Sequence, residues 1–229
     1  MKAENQDGAL SPVSMRELEH LTLRRALVSG IPKRYAENAV DVSADSVLSM
    51  VVPSGKLREI DAATFASEMV PEQMDERFIG KFAILTGNPG VGKTALASAL
   101  AMESIRRFKI TFTPTADAST PATSSKALRS AMFISLSDLV GKIVQRDKKA
   151  VFRIRKADFV VVDNFEIWFE INIPDWAKVY VSNLLRARYE NGWSTLIVSR
   201  SWPQKPDDEM LDGAWFRECV IFNLRGRRR

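Results

Sequence analysis

The run Gly87-Asn88-Pro89-Gly90-Val91-Gly92-Lys93-Thr94 matches G-x-x-x-x-G-K-[ST]. It stands directly after the apolar stretch Phe82-Ala83-Ile84-Leu85 and before the helix-forming stretch Ala95-Leu96-Ala97-Ser98-Ala99-Leu100-Ala101. Strand, glycine loop and helix in that order constrain the chain to an α/β fold with a phosphate-binding loop. Glycines let backbone N–H groups converge on phosphates, and the helix N-terminus adds its partial positive charge. On this reading Gly87, Asn88, Pro89, Gly90, Val91, Gly92, Lys93, Thr94 and Ala95 hold ATP. Lys93 reaches the β and γ phosphates, and Thr94 gives its hydroxyl to Mg²⁺.

The chain has 229 residues, of which 45% are hydrophobic, enough for one α/β domain with a short extension but crowded for two. The single cysteine, Cys219, excludes an internal disulfide framework and agrees with a cytoplasmic location. It lies in the apolar run Cys219-Val220-Ile221-Phe222, where a buried thiol is expected rather than a nucleophile. The single histidine, His20, has no second histidine with which to share zinc. No signal segment is recognised, and no apolar stretch approaches the roughly 18 residues a membrane helix needs.

The net charge is +5, and its placement matters more than its size. Lys142, Arg146, Lys148, Lys149, Arg153, Arg155 and Lys156 face only Asp147 in their segment, and Arg225-Gly226-Arg227-Arg228-Arg229 is basic too. Lys142, Arg146, Lys148, Lys149 and Arg153 are therefore candidates to neutralise nucleic-acid phosphates, with a solvated helix face as the alternative.

Apolar periodicity predicts a helix over Met15 to Ser29, stopped by Gly30-Ile31-Pro32, and another between Asp61 and Met69. Five short strands come after these: Phe82 to Thr86, Ala131 to Ser135, Phe159 to Asp163, Thr195 to Ser199, and Cys219 to Leu224. Helices over Thr94 to Phe108, Leu136 to Lys149, Asp175 to Asn191 and Asp207 to Phe216 alternate with them, which predicts a parallel sheet flanked by helices. Thr111 to Ser125, rich in Thr, Ser, Ala and Pro, reads as a mobile insertion. Residues 1–60 read as an N-terminal extension and 61–229 as the nucleotide-binding domain. Phe159-Val160-Val161-Val162-Asp163 is an apolar strand ending in aspartate, 70 residues after Lys93. Asp163 is the expected second Mg²⁺ group, held on a strand beside the phosphate loop. The segment Phe165 to Pro174 carries Phe165, Ile167, Trp168, Phe169, Ile171 and Ile173, and is either buried against the core or a partner surface, burial being slightly favoured.

In these motifs the chain resembles the AAA+ ATPases of the bacterial replicative helicase loader group, the DnaC and DnaI type, together with the transposition helper IstB. The family's opening signature is similar to Gly30-Ile31-Pro32-Lys33-Arg34-Tyr35. Its stretch before the second nucleotide motif resembles Ile134-Ser135-Leu136-Ser137-Asp138-Leu139 and Lys156-Ala157-Asp158, and its helix end before the sensor strand resembles Arg188-Tyr189-Glu190-Asn191-Gly192. The resemblance implies an AAA+ type five-stranded parallel sheet without a C-terminal helical lid, since only Arg225 to Arg229 follow the last strand. It also implies ATP and Mg²⁺ as cofactors, a replicative DNA helicase and single-stranded DNA as partners, and ATP-dependent homo-oligomerisation. The region of Met15 to Ser29 would grip the helicase.

Several residues depart from the family pattern. Asn164 stands where a carboxylate usually follows Asp163, leaving Glu166 to polarise water if the turn permits it. Arg200 follows Ser199 where an Asn is common. Asp212-Gly213 replaces the usual aspartate-arginine, so Arg217 is the nearest trans-acting arginine and Arg188 a second candidate. These departures imply weak basal hydrolysis. The expected function is a helicase loader. A transposition helper that binds duplex DNA, an ATP-dependent binding module with little hydrolysis, and, third, a small-molecule kinase remain as alternatives.

Overall fold

The computed structural model describes residues 15–37, 47–51, 57–70, 80–113, 123–202 and 219–224. Helix α1 (Met15–Val28) leads into α2 (Lys33–Glu37), then β1 (Val47–Val51), β2 (Leu57–Asp61) and α3 (Ala62–Met69). The phosphate-loop unit is β3 (Phe82–Thr86) and α4 (Lys93–Arg106), followed by β4 (Phe108–Thr113) and β5 (Thr123–Leu128). Next come β6 (Ala131–Ser135), α5 (Leu136–Val144), α6 (Lys148–Lys156), β7 (Phe159–Asp163) and α7 (Ile167–Glu170). The chain continues through α8 (Asp175–Glu190), β8 (Ser194–Val198) and β9 (Val220–Leu224).

Five strands run parallel in the order β9-β3-β8-β7-β6, and β1 and β2 extend the β9 edge in antiparallel sense. The parallel strands are largely apolar because both faces are covered. Strand alternation sorts them into two cores. Ala83, Leu85, Val161, Leu196 and Val198 pack with α1, α3 and α4, while Phe82, Ile84, Val160, Val162 and Ile197 pack with α5, α6 and α8. Each core buries several large side chains, at about 1.5–3 kcal/mol per fully buried aliphatic or aromatic residue.

Local chemistry starts the helices where it should. Asp61 caps α3 by accepting the Thr64 N–H at 2.7 Å, and Ser135 caps α5 by accepting the Asp138 N–H at 3.1 Å. The opening signature is a docking device: Gly30 has φ of +82°, and a Cβ there would meet the Phe133 carbonyl oxygen at 2.2 Å. The Phe133 N–H donates to the Ser29 carbonyl at 2.7 Å, and Ile31 is buried in the core that holds Phe133. Only glycine combines that dihedral with that approach. Arg25 completes the attachment, donating to the Ile105 carbonyl at 2.9 Å and to the Arg129 carbonyl.

Three expectations change. Thr111 to Ser125 is not wholly an insertion without structure: its two ends belong to the antiparallel pair β4–β5, where β-branched and aromatic Thr111, Phe112 and Thr113 suit an extended chain. The helix from Leu136 does not run to Lys149. It ends at Val144, Arg146 turns the chain with φ of +56°, and Asp147 caps a separate α6 by accepting the Ala150 N–H at 3.0 Å. The strand bearing Asp163 is also not the neighbour of β3, because β8 lies between them. Burial of the Phe165 to Pro174 segment holds for Phe165, Trp168 and Ile173, whereas Phe169 and Ile171 are exposed. The helix expected over Asp207 to Phe216, Arg217 and the tail Arg225 to Arg229 lie outside the described residues.

Candidate functional site

The site forms where β3, β7 and β8 end together on one side of the sheet. The loop after β3 holds Gly87 at φ of +144°, with room only for a hydrogen: a Cβ would lie 2.5 Å from the Leu224 carbonyl oxygen. Gly92 is the N-cap of α4 at φ of +99°, and no side chain caps that helix. Its first-turn N–H groups therefore point toward the loop, the arrangement that binds phosphate. Ala95 sits half-buried in this first turn.

Lys93 lies across the loop, its Nζ donating to the Gly87 carbonyl at 2.6 Å and the Asn88 carbonyl at 3.0 Å. Burial lowers its pKa, Glu166 and Asp163 push it back up, and Arg200 lowers it further. The Thr94 hydroxyl hydrogen-bonds the Asp163 carboxylate, so the two residues expected at Mg²⁺ are in contact although β8 lies between β3, which leads to Thr94, and β7, which ends in Asp163. Asp163 is only 6% exposed. Burial raises its pKa above the usual carboxylate range, opposed by the Asn164 N–H, by Thr94 and by Lys93, while Glu166 raises it further. A buried carboxylate that is costly to ionise, beside a hydroxyl, offers oxygen ligands suited to a hard divalent cation, and the neighbouring ammonium suits the phosphate such a cation carries.

Glu166 is brought back to this cluster by the turn after β7. Asn164 adopts φ of +55°, a conformation asparagine tolerates better than most residues, and its N–H donates to Asp163 at 2.9 Å. The Phe165 N–H then bonds the Val198 carbonyl at 2.9 Å, and Phe165 stacks against Trp168 and tilts against Trp202. The Glu166 carboxylate accepts the Arg200 N–H at 3.1 Å and faces the Ser199 hydroxyl at 3.4 Å. Arg200 also lies 3.9 Å from Glu170. The sequence marked Ser199 and Arg200 only as a departure. Their part in holding Glu166 depends on the insertion of β8 between β3 and β7, which pairwise motif reading does not supply.

Arg188 is not available to a neighbouring subunit. It is fully buried and donates to the Thr195 hydroxyl at 2.9 Å and to the carbonyls of Ile154, Arg155, Ala157 and Ser194 at 2.6–3.0 Å. Burial, partly offset by Asp158, pulls its pKa down to about 9. This guanidinium clamps α8, α6 and β8 together, which replaces the candidate trans-acting role with a structural one.

The basic candidates gather on and around α6. Lys142, Arg146 and Lys148 line a groove against α8, Arg153 lines a second groove against α1, and Lys149 is exposed on the same helix.

Residues 83–166, from the phosphate-loop strand through Asp163 to Glu166, match the profile of the ATPase family associated with various cellular activities (AAA). The fold is that of an AAA ATPase. The crystal structure of DnaI is similar at a TM-score of 0.51 and 19% identity, over 72% of this chain and 83% of that one. The DnaC helicase loader is similar at a TM-score of 0.47 and 18% identity, over 72% and 86% of the two chains. AMPPCP-bound DnaA from Aquifex aeolicus is similar at a TM-score of 0.47 and 16% identity, over 63% of this chain. The chain spans 40% of that DnaA chain. The comparison with curated proteins finds no match. A P-loop AAA fold binds nucleotide. Among the described residues no helix is long and apolar enough to cross a membrane.

Proposed function

We propose that this protein is an ATP-dependent helicase loader, which assembles with a replicative DNA helicase and places it on single-stranded DNA. The observation that carries the reading is that the opening signature and the phosphate site belong to one framework. Gly30 fixes α1 against β6, and α1 is tied through Arg25 to α4, the helix that begins at Lys93. A grip on the helicase by the Met15 to Ser29 region would thus be joined rigidly to the helix whose first turn meets phosphate. ATP would be held by Gly87 to Ala95, and Mg²⁺ by Thr94 and Asp163. Mg²⁺ would supply charge neutralisation at the phosphates. Lys93 contributes its ammonium there, Glu166 is the carboxylate of the cluster placed to orient a water molecule, and Lys142 to Arg153 would meet DNA. Residues 61–229 then act as the ATPase body, with partner contacts concentrated in residues 1–60 and a homo-oligomer formed in the ATP state. Arg217 is the proposed trans-acting arginine.

The test is co-purification of tagged protein with purified replicative helicase, with and without MgATP. Helicase retention that requires MgATP and disappears in Lys93→Ala supports the loader. Retention of a transposase instead, with preference for duplex over single-stranded DNA, replaces it by the transposition helper. Asn164, with no carboxylate and an exposed side chain, favours a second reading as an ATP-binding module with little turnover. Steady-state phosphate release that stays at background with DNA and helicase present would establish it.

A further inference from the structure

Helix α6 divides two grooves that share one ring. A groove of about 800 Å³ between α5, α6 and α8 has Lys142, Arg146, Lys148 and Arg155 as its cations. A groove of about 560 Å³ between α6, the end of α1 and the start of β6 has Arg24, Arg25, Arg153 and Lys156. Phe152, 61% exposed, lines both. No carboxylate is among the described residues lining either groove. Lys142 pairs with Asp147 at 3.7 Å, whereas Arg25, on the Ile105 carbonyl, and Lys156, over the Trp193 ring, keep their charge, so both grooves are positive.

The first groove also carries Trp176 and Tyr180, four residues apart on one face of α8 and 54% and 56% exposed. Three large rings held in water beside cations of one sign are the two components of a single-strand platform: charge for the backbone and π-faces for the bases. An acidic amphipathic helix would meet the same charges, but a straight helix fills one groove and cannot pass over the crest at Phe152 into the other. A flexible strand with a charge and a flat base at every unit can. A duplex keeps its bases paired and cannot use the rings.

We infer that a single DNA strand crosses α6 at Phe152, its phosphates held by the cations of both grooves and its bases stacked on Phe152, Trp176 and Tyr180. This rests on the DNA reading of the basic segment and deepens it by naming the base-contacting residues.

The experiment is fluorescence anisotropy of the full chain with labelled oligodeoxythymidylate in MgATP across a salt series. The double variant Trp176→Ala/Tyr180→Ala should lose affinity by roughly 5- to 140-fold per stacked base. Its salt slope should stay that of the wild type, because every phosphate-binding cation is retained. Trp176→Phe, which keeps a ring, should recover most of the loss at that position. Phe152→Ala, on the other helix, gives an independent reading should the double variant melt abnormally. Wild-type affinity in these alanine variants, with wild-type melting, overturns the stacking platform while leaving the DNA reading of α6 intact. A wild-type protein that fails to bind the single strand overturns both. Binding of a polyglutamate peptide that depends on the same rings and is not displaced by oligodeoxythymidylate overturns the proposal in favour of an acidic protein segment.

Discussion

At the scale of residues, the cluster is arranged so that ionising one group is costly until a cation arrives. Asp163 is buried and its pKa is raised by that burial, so without a bound cation its charge opposes folding at neutral pH. The sign comes from linkage: with the folded pKa above the unfolded value of 3.8, the folded state binds more protons between the two. Stability therefore falls as pH rises through that window, and the loss is complete above the folded pKa. Asp163→Asn should raise the melting temperature at pH 7 without nucleotide, by about 2–4 °C for each kcal/mol recovered, and the gain should shrink as pH falls toward the unfolded carboxylate value. The same variant should lose the further stabilisation given by MgATP. Scanning calorimetry at both pH values checks this; equal melting temperatures at pH 7 would show that burial of the carboxylate is not costly. Asn164 has a different explanation, since its left-handed backbone and its exposure make it the hinge of the turn that returns Glu166 to the site. Glu166→Gln should then lower phosphate release by about 10²-fold or more, the usual worth of a positioned base, while Asn164→Glu brings no gain. Turnover that rises in Asn164→Glu and is untouched in Glu166→Gln would reverse the assignment.

At the scale of elements, the basic segment is a helix of its own because Arg146 breaks the chain and Asp147 caps the new helix from Lys148. Cations of α6 consequently project to both sides of it instead of forming one solvated stripe. Replacing Lys148, Lys149 and Arg153 by alanine should weaken single-stranded DNA binding and reduce the salt slope by about 0.7 for each phosphate no longer neutralised. A salt titration that leaves slope and affinity unchanged would return these residues to a solvated face. The strands and helices that were legible in the sequence are those whose patterns have one physical cause. β3, β7 and β8 are buried at every position and largely apolar because helices cover both faces, and α3 announces itself by the cap at Asp61. β1 and β2 were not legible, since antiparallel strands with Ser49, Arg58 and Glu59 show no such run, and β1 pairs with β9, a partner more than 160 residues away. The pattern from Leu136 overruns the end of α5 because Val144, Val151 and Ile154 keep an apolar rhythm that hides the break between the two helices.

At the scale of the whole molecule, motif order placed Lys93, Thr94 and Asp163 in one site, and the sheet order explains how residues of separate strands meet there. The positions of Ser199 and Arg200 emerged only from three-dimensional order, because β8 is inserted between two strands that sequence motifs make appear adjacent. That insertion links nucleotide to fold stability: the Gly87 N–H bonds the Arg200 carbonyl at 3.4 Å, and the Ser199 N–H bonds the Leu85 carbonyl at 3.0 Å. A ligand on the loop therefore bears on two adjacent strands, β3 and β8, at once. A nucleotide that binds only the folded state at one hundred times its dissociation constant stabilises it by about 2.7 kcal/mol, which for a chain of this size is roughly 5–10 °C in melting temperature. Wild-type protein should show this rise with MgATP, together with a shift to higher mass in light scattering if the ATP state assembles. Lys93→Ala should melt as the wild type without nucleotide, because its ammonium touches only exposed or half-buried loop carbonyls, and should lose both the rise and the mass shift. A variant that keeps the thermal rise but loses assembly would separate binding from oligomerisation and locate the role of Lys93 in the latter. A variant that keeps both would remove the phosphate loop from the mechanism.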